Sequence, residues 1–243
     1  MNIIVCEKSF VGFLSAVYDS YYFYKNADAV TSDVNSCMLT DSLCAANESL
    51  TKARKVRQGI IKKGGMSAYD EVLDAYRSGN PKKEKIIYDF LRLFFSRGRA
   101  AFEMHDNACV VAFNDIVRKV RHEIHRLRAF VRFQEMKNGI YYAFFRSDND
   151  ILERIAEGLA PRFNTQKFIL HDYVRRKLAF FDGENISYAE SPEKVEIELS
   201  EREEAFARLW KNYTENVTID ARENLKLQQS FVPKKYRVFM NEF

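Results

Sequence analysis

The stretch from Phe113 to Phe145 constrains the fold most, because its hydrophobic period changes part-way along. At 100° per residue, Phe113, Ile116, Val117, Val120, Ile124 and Leu127 fall on one side of a helix. They predict a half-buried helix over about 107–126. Lys119, Glu123 and Arg126 line one edge of its exposed half. Arg118, Arg121, His125 and Arg128 line the other, with His122 between them. From Arg128 to Gln134 the pattern alternates, and Ile140–Phe145 is rich in β-formers. Asn138-Gly139 between the two is a hairpin signal. A 3.6-residue period giving way to a period of two predicts an α+β fold.

The rest of the chain extends that reading. Ile3–Val5 predicts a short strand feeding a helix over about 9–24, and residues 26–46 read as an irregular, mobile loop. Helices are expected near 48–63, 67–78 and 82–97, separated by Lys63-Gly64-Gly65 and Gly79-Asn80-Pro81. Ser147-Asp148-Asn149-Asp150 supplies N-cap candidates for a helix over about 150–159. Phe168–Leu170, Lys177–Phe181 and Ile186–Tyr188 read as further strands, with Asp182-Gly183 as a turn. Helices near 200–216 and 220–230 precede a basic tail opened by Pro233, and Leu209, Trp210 and Tyr213 have the spacing to anchor the first of these to the core. The expected architecture is mostly helical, with helices packed around a small antiparallel sheet built from hairpins. Residues 1–243 are expected to form one α+β unit, with an N-terminal helical portion at 1–100 and a C-terminal portion at 101–243.

A hydrophobic share of 47%, a charged share of 30%, nine glycines and four prolines exclude a low-complexity or disordered chain. Net charge is only +4, so its distribution matters more than its sum. Between Arg118 and Lys137 there are seven Lys/Arg against two Glu, whereas Glu193–Glu204 holds six Glu against Lys194 and Arg202. One surface therefore attracts phosphate and another repels it. A solvated helix face is the ordinary origin of such runs. The basic run, however, lies beside Tyr141, Tyr142, Phe144 and Phe145, and cations beside ring faces are what single-stranded nucleic acid requires.

Enzyme chemistry has fewer anchors. His122, Glu123 and His125 share a helix, but neighbouring segments supply no matching carboxylates, so no metal site is expected. His171-Asp172 sits at a strand end. Asp172 joins His122, Glu123 and His125 as an acid/base candidate. Cys6, Cys37, Cys44 and Cys109 lack zinc spacing. No P-loop or dinucleotide fingerprint appears, so no cofactor is expected. Glu7 and Lys8 argue against a secretory signal, and no apolar run approaches the roughly 20 residues that span a bilayer. The expectation is a cytoplasmic protein with reduced thiols and no membrane association.

The run Lys119-Val-Arg-His-Glu-Ile-His-Arg126 with Phe130-Val-Arg-Phe133 resembles a family of bacterial proteins named for DNA metabolism or DNA repair. Tyr141-Tyr142-Ala143, Pro161-Arg162-Phe163, Leu209-Trp210, Asn224-Leu-Lys-Leu-Gln228 and Val232-Pro-Lys-Lys-Tyr236 follow in that family's order, and Ser9–Tyr22 resembles its opening. Arg237 stands where the pattern usually has an aromatic. In that family the C-terminal part is a domain of unknown function, in some members fused to a uracil-DNA-glycosylase-like domain. Members similar in full are paired with a radical SAM protein of DNA modification or repair. The resemblance thus implies a DNA-related role and a radical SAM partner, and it carries over no catalytic residue. The resulting expectation is a nucleic-acid-binding accessory protein. Its contacts would come from Arg118, Lys119, Arg121, His122, Arg126, Arg128, Arg132, Tyr142, Arg162, Arg175, Arg176, Lys226, Lys234 and Lys235. An enzyme acting directly on DNA and a protein-interaction module without nucleic-acid binding are the alternatives.

Overall fold

A computed structural model describes residues 1–191, 197–217 and 224–237. The chain divides into two compact units, Met1–Arg121 and His122–Phe243.

The first unit opens with strand β1 (Asn2–Val5) and helix α1 (Phe10–Tyr22). The Ser9 side chain caps α1 by accepting from Gly12 N at 2.8 Å. Residues 26–46, expected to be irregular, instead contribute two short strands, β2 (Ala29–Thr31) and β3 (Ser42–Ala45). Both pair in parallel with β1, in the order β2-β1-β3. This sheet is therefore parallel, not an antiparallel hairpin product.

Helix α2 (Leu50–Tyr76) merges the two helices expected on either side of Lys63-Gly64-Gly65. The glycines act as a kink. Gly65 adopts φ 80° and ψ 179°, a combination open essentially to glycine alone. Helix α3 (Lys83–Arg97) and a 3₁₀ turn (Gly98–Glu103) lead into helix α4 (Ala108–Phe130). Phe90, Phe94, Phe102 and Phe113 form the centre of this unit's core, with the Phe90 and Phe113 rings stacked at 3.8 Å between centroids.

The boundary between the units falls within α4. The helix also runs past the expected strand start at Arg128, because Leu127 continues the buried stripe and Val131 N still donates to Leu127 O. Only Gln134–Glu135 form strand β4.

In the second unit, β4, β5 (Tyr141–Phe145), β6 (Phe168–Asp172), β7 (Lys177–Phe181) and β8 (Ile186–Glu190) form one sheet in that order. The β5–β6 pair is parallel and the other pairs are antiparallel, so the sheet is mixed rather than purely antiparallel. Helix α5 (Leu152–Phe163) is the reason. A helical crossover returns the chain in its original direction, as a tight hairpin cannot. Leu152, Ile155, Ala156 and Leu159 are buried on α5, and Phe163 meets Tyr141 and Phe168 on one sheet face. The N-cap of α5 is Ile151, without a side-chain cap; Ser147–Asn149 serve a different purpose described below.

Helices α6 (Glu201–Val217), α7 (Leu225–Phe231) and the short α8 (Lys234–Arg237) complete the described chain. Leu209 and Tyr213 on α6 are mostly exposed, as is part of Trp210. They stack along the helix surface, Phe206 on Trp210 and Trp210 on Tyr213, rather than anchoring α6 in the core.

Candidate nucleic-acid interface

The C-terminal half of α4 and the end of α5 bound a cleft of ≈ 580 Å³ within the second unit. Arg128 and Arg132 approach it from the first side and Arg162 from the second, with His125, Phe133 and Phe163 also in its wall. The spacing explains the convergence. His125, Arg128 and Arg132 recur at i, i+3 and i+7, while Arg162 follows Leu159 and Gly158 by three and four residues. Among the described residues, no carboxylate lines this cleft.

Arg128 packs onto α5. Its guanidinium lies over Gly158, so closely that a Cβ there would fall on it. Nη2 donates to Arg154 O, while Nε is buried without a hydrogen-bond partner. Burial, reinforced by the neighbouring Arg154 charge, lowers the Arg128 pKa, with Glu157 opposing. The group stays cationic at neutral pH all the same. Arg132 turns back onto Ala129 O at 2.8 Å, and Arg162 is exposed with no hydrogen bond or ion pair among the described residues. Cationic donors beside two phenyl rings suit an anionic partner with flat groups.

Gly158→Ala is accordingly expected to displace the Arg128 side chain, a flexible group that can swing away. Anion affinity should fall several-fold while the melting temperature stays within about 2–4 °C of wild type, because alanine also favours the helix. Titration of both proteins with one oligonucleotide, beside a thermal melt, checks this. Equal affinities would show that the Arg128 seat is unimportant.

The remaining sequence candidates lie elsewhere. Arg118 and Lys119, in the first unit, pair with Asp115 at 2.7 Å each, and those hydrogen bonds pull the Asp115 carboxyl below its usual range. Arg121 pairs with buried Asp74 at 2.9 Å and with Glu71 at 3.5 Å. Burial alone would lower its pKa, and the two carboxylates outweigh that. His122 is exposed and Arg126 half-buried. Arg176 is exposed with a left-handed φ of 53°, and Lys226 and Lys234 are exposed on α7 and α8.

A second cluster, outside the cleft lining, gathers Glu123, Asp172, Arg175 and Lys235. Buried Glu123 accepts from Asp148 N at 2.9 Å, Asn149 N at 3.0 Å and Asn149 Nδ2 at 2.6 Å, and Tyr236 Oη donates to it at 3.3 Å. Lys235 Nζ bridges Asp148 at 2.5 Å and Glu123 at 3.5 Å. Asp172, fully buried, accepts from Val174 N and Arg175 N and pairs with the Arg175 guanidinium at 3.1 Å. Arg175 also donates to Ser147 O and Asp148 O. These groups tie the loop after β5 to the turn after β6 and to the C-terminal segment.

Tyr142 is buried beside them in sequence but faces the other side of the sheet. Its Oη lies 2.7 Å from His171 Nδ1, and burial pushes its pKa up to about 12. Burial lowers the His171 pKa, with Asp172 opposing. Neither ring is offered to solvent.

Comparison with known families matches residues 81–242 to DUF4130, a domain of unknown function. The chain belongs to the DUF4130 family. No curated protein matches it. The DUF4130 match takes in every residue of the arginine cleft and of the Glu123 network. Among the described residues of this DUF4130 protein, no group of three or more His, Cys, Asp or Glu is placed to hold a metal ion, and no helix is long and apolar enough to cross a membrane.

Sequence reasoning reached Arg128, Arg132, Arg162 and His125 singly. It missed Gly158 and Arg154, whose importance comes from α4 packing on α5. It also missed Asp148 and Asn149 as partners of Glu123. The only sequence signal for those was their capping chemistry, which the fold spends on a distant carboxylate.

Proposed function

We propose that this DUF4130 protein binds single-stranded or locally opened DNA through the Arg128–Arg132–Arg162 cleft, as an accessory to an enzyme that acts on the DNA. The observation that carries this is the convergence of three arginines on one cleft, with Phe133 and Phe163 in its wall and no carboxylate among its described lining residues. The guanidinium groups would take backbone phosphates and the rings would take unstacked bases, which an intact duplex keeps to itself. Among the described residues the cleft lining offers cationic donors and ring edges, with His125 beside them, which favours holding an anionic strand. The resemblance to DNA-metabolism proteins supports the same partner, and a radical SAM enzyme of DNA modification or repair is the partner it implies.

Anisotropy titrations with labelled single-stranded and duplex DNA of one sequence, across a range of salt, test the reading. Three phosphate contacts predict a slope of log K against log salt of roughly −2 for the single strand, at about −0.7 per contact. The single strand should bind more tightly than the duplex. Absence of binding at low salt would reject the proposal.

A further inference from the structure

The first unit carries an aromatic cleft at the edge of its core, where Tyr18 and Phe95 pack partly buried. Between α1, α2 and α3 lies a space of ≈ 450 Å³ walled by Tyr18, Tyr21, Tyr22, Phe95, Lys55 and Gly59, among others. Tyr18 and Tyr22 stack at 4.3 Å, and Tyr21 meets Phe95 edge-on at 5.6 Å. Tyr22 is 64% exposed and the adjacent Phe23 67% exposed. Consecutive exposed rings beside a cleft are unusual on a surface that has no partner.

The rim is cationic. Lys55 Nζ sits 5.4 Å from the Tyr18 ring centre and makes no ion pair among the described residues. Lys52 lies 5.7 Å from the Phe23 ring centre and is held by Asp19 at 2.7 Å. An apolar peptide would bury the Lys55 ammonium without compensation, since of the two only Lys52 has a carboxylate partner among the described residues. A nucleobase with its phosphate satisfies both halves of the surface: the rings stack on the base and Lys55 meets the phosphate.

We propose that this cleft seats a base of single-stranded nucleic acid, with Tyr22 as a stacking platform and Lys55 as the phosphate contact. It shares a ligand class with the arginine cleft but none of its residues. The expected result, for the full chain and labelled oligothymidylate, is an affinity loss on the order of tenfold for Tyr22→Ala, the size of one stacked base. Tyr22→Phe keeps the ring and should bind like wild type. Lys55→Ala should flatten the salt slope by about 0.7. Tyr22 and Lys55 are exposed, so all three variants are expected to fold.

Arg162→Ala in the same series separates the two sites. If Arg162→Ala weakens binding while Tyr22→Ala and Lys55→Ala match wild type, the aromatic seat is wrong and the arginine cleft stands. If only the Tyr22 and Lys55 variants weaken binding, the aromatic seat stands alone. A Tyr22→Ala protein that binds normally but changes its oligomeric state would assign the cleft to a second copy of the chain and overturn the proposal.

Discussion

Glu123→Ala is expected to destabilise the second unit by about 3–5 kcal/mol, the usual cost of removing one member of a buried charged network. The carboxylate is 6% exposed and accepts from two backbone N–H groups and the Asn149 amide. Alanine removes the acceptor that the Asp148 and Asn149 donors share, and a donor left buried without one costs about 1–3 kcal/mol before relaxation. Lys235 contributes less to the loss, because it keeps Asp148, whose side chain is largely in water. Glutamine should recover less than half. Oε1 accepts from Asp148 N and Oε2 from Asn149, so either orientation of an amide points its NH₂ at a donor. Urea denaturation followed by far-UV dichroism, with amide exchange at Asp148 and Asn149, measures both effects. A wild-type midpoint with full protection at those amides would show that the network does not hold the unit together.

Glu123 also marks where sequence reading stops. Its helix was legible, but the wheel sets Glu123 on the edge of the exposed half, whereas the loop after β5 and the C-terminal segment bury it. Its partners were not legible, because Asp148 and Tyr236 lie far along the chain and only packing brings them near. The parallel pairing of β5 with β6 was hidden for a related reason: alternation has the same period in parallel and antiparallel strands. Strands β2 and β3 are three and four residues long, too short for any period to emerge amid polar neighbours. The arginine cleft was half visible. Arg128 follows from the helix wheel, Arg132 was expected on the following strand and Arg162 near the end of the next helix, but their convergence depends on how Arg128 seats over Gly158 of α5.

That close packing makes stability and affinity separable in the cleft. Arg128→Met combined with Arg162→Glu is expected to weaken single-stranded DNA binding by about 10²- to 10⁴-fold. Each lost charged hydrogen bond is worth about 1.5–3 kcal/mol, and 1.4 kcal/mol is a factor of ten. Methionine keeps an unbranched stem against Gly158 and removes the charge that Arg154 repels. Arg162 is exposed, so its reversal costs the fold little. The double variant should therefore melt within a few degrees of wild type, at roughly 2–4 °C per kcal/mol for a chain of this size. Lys137→Glu sets the background from net charge alone, since Lys137 is ion-paired with Glu198 outside the cleft. Cations that served only the fold would give the reverse pattern, a large loss of melting temperature with affinity no lower than in Lys137→Glu. Cations held for a nucleic-acid backbone should lose affinity and keep the fold, because Arg128 and Arg162 make no ion pair among the described residues.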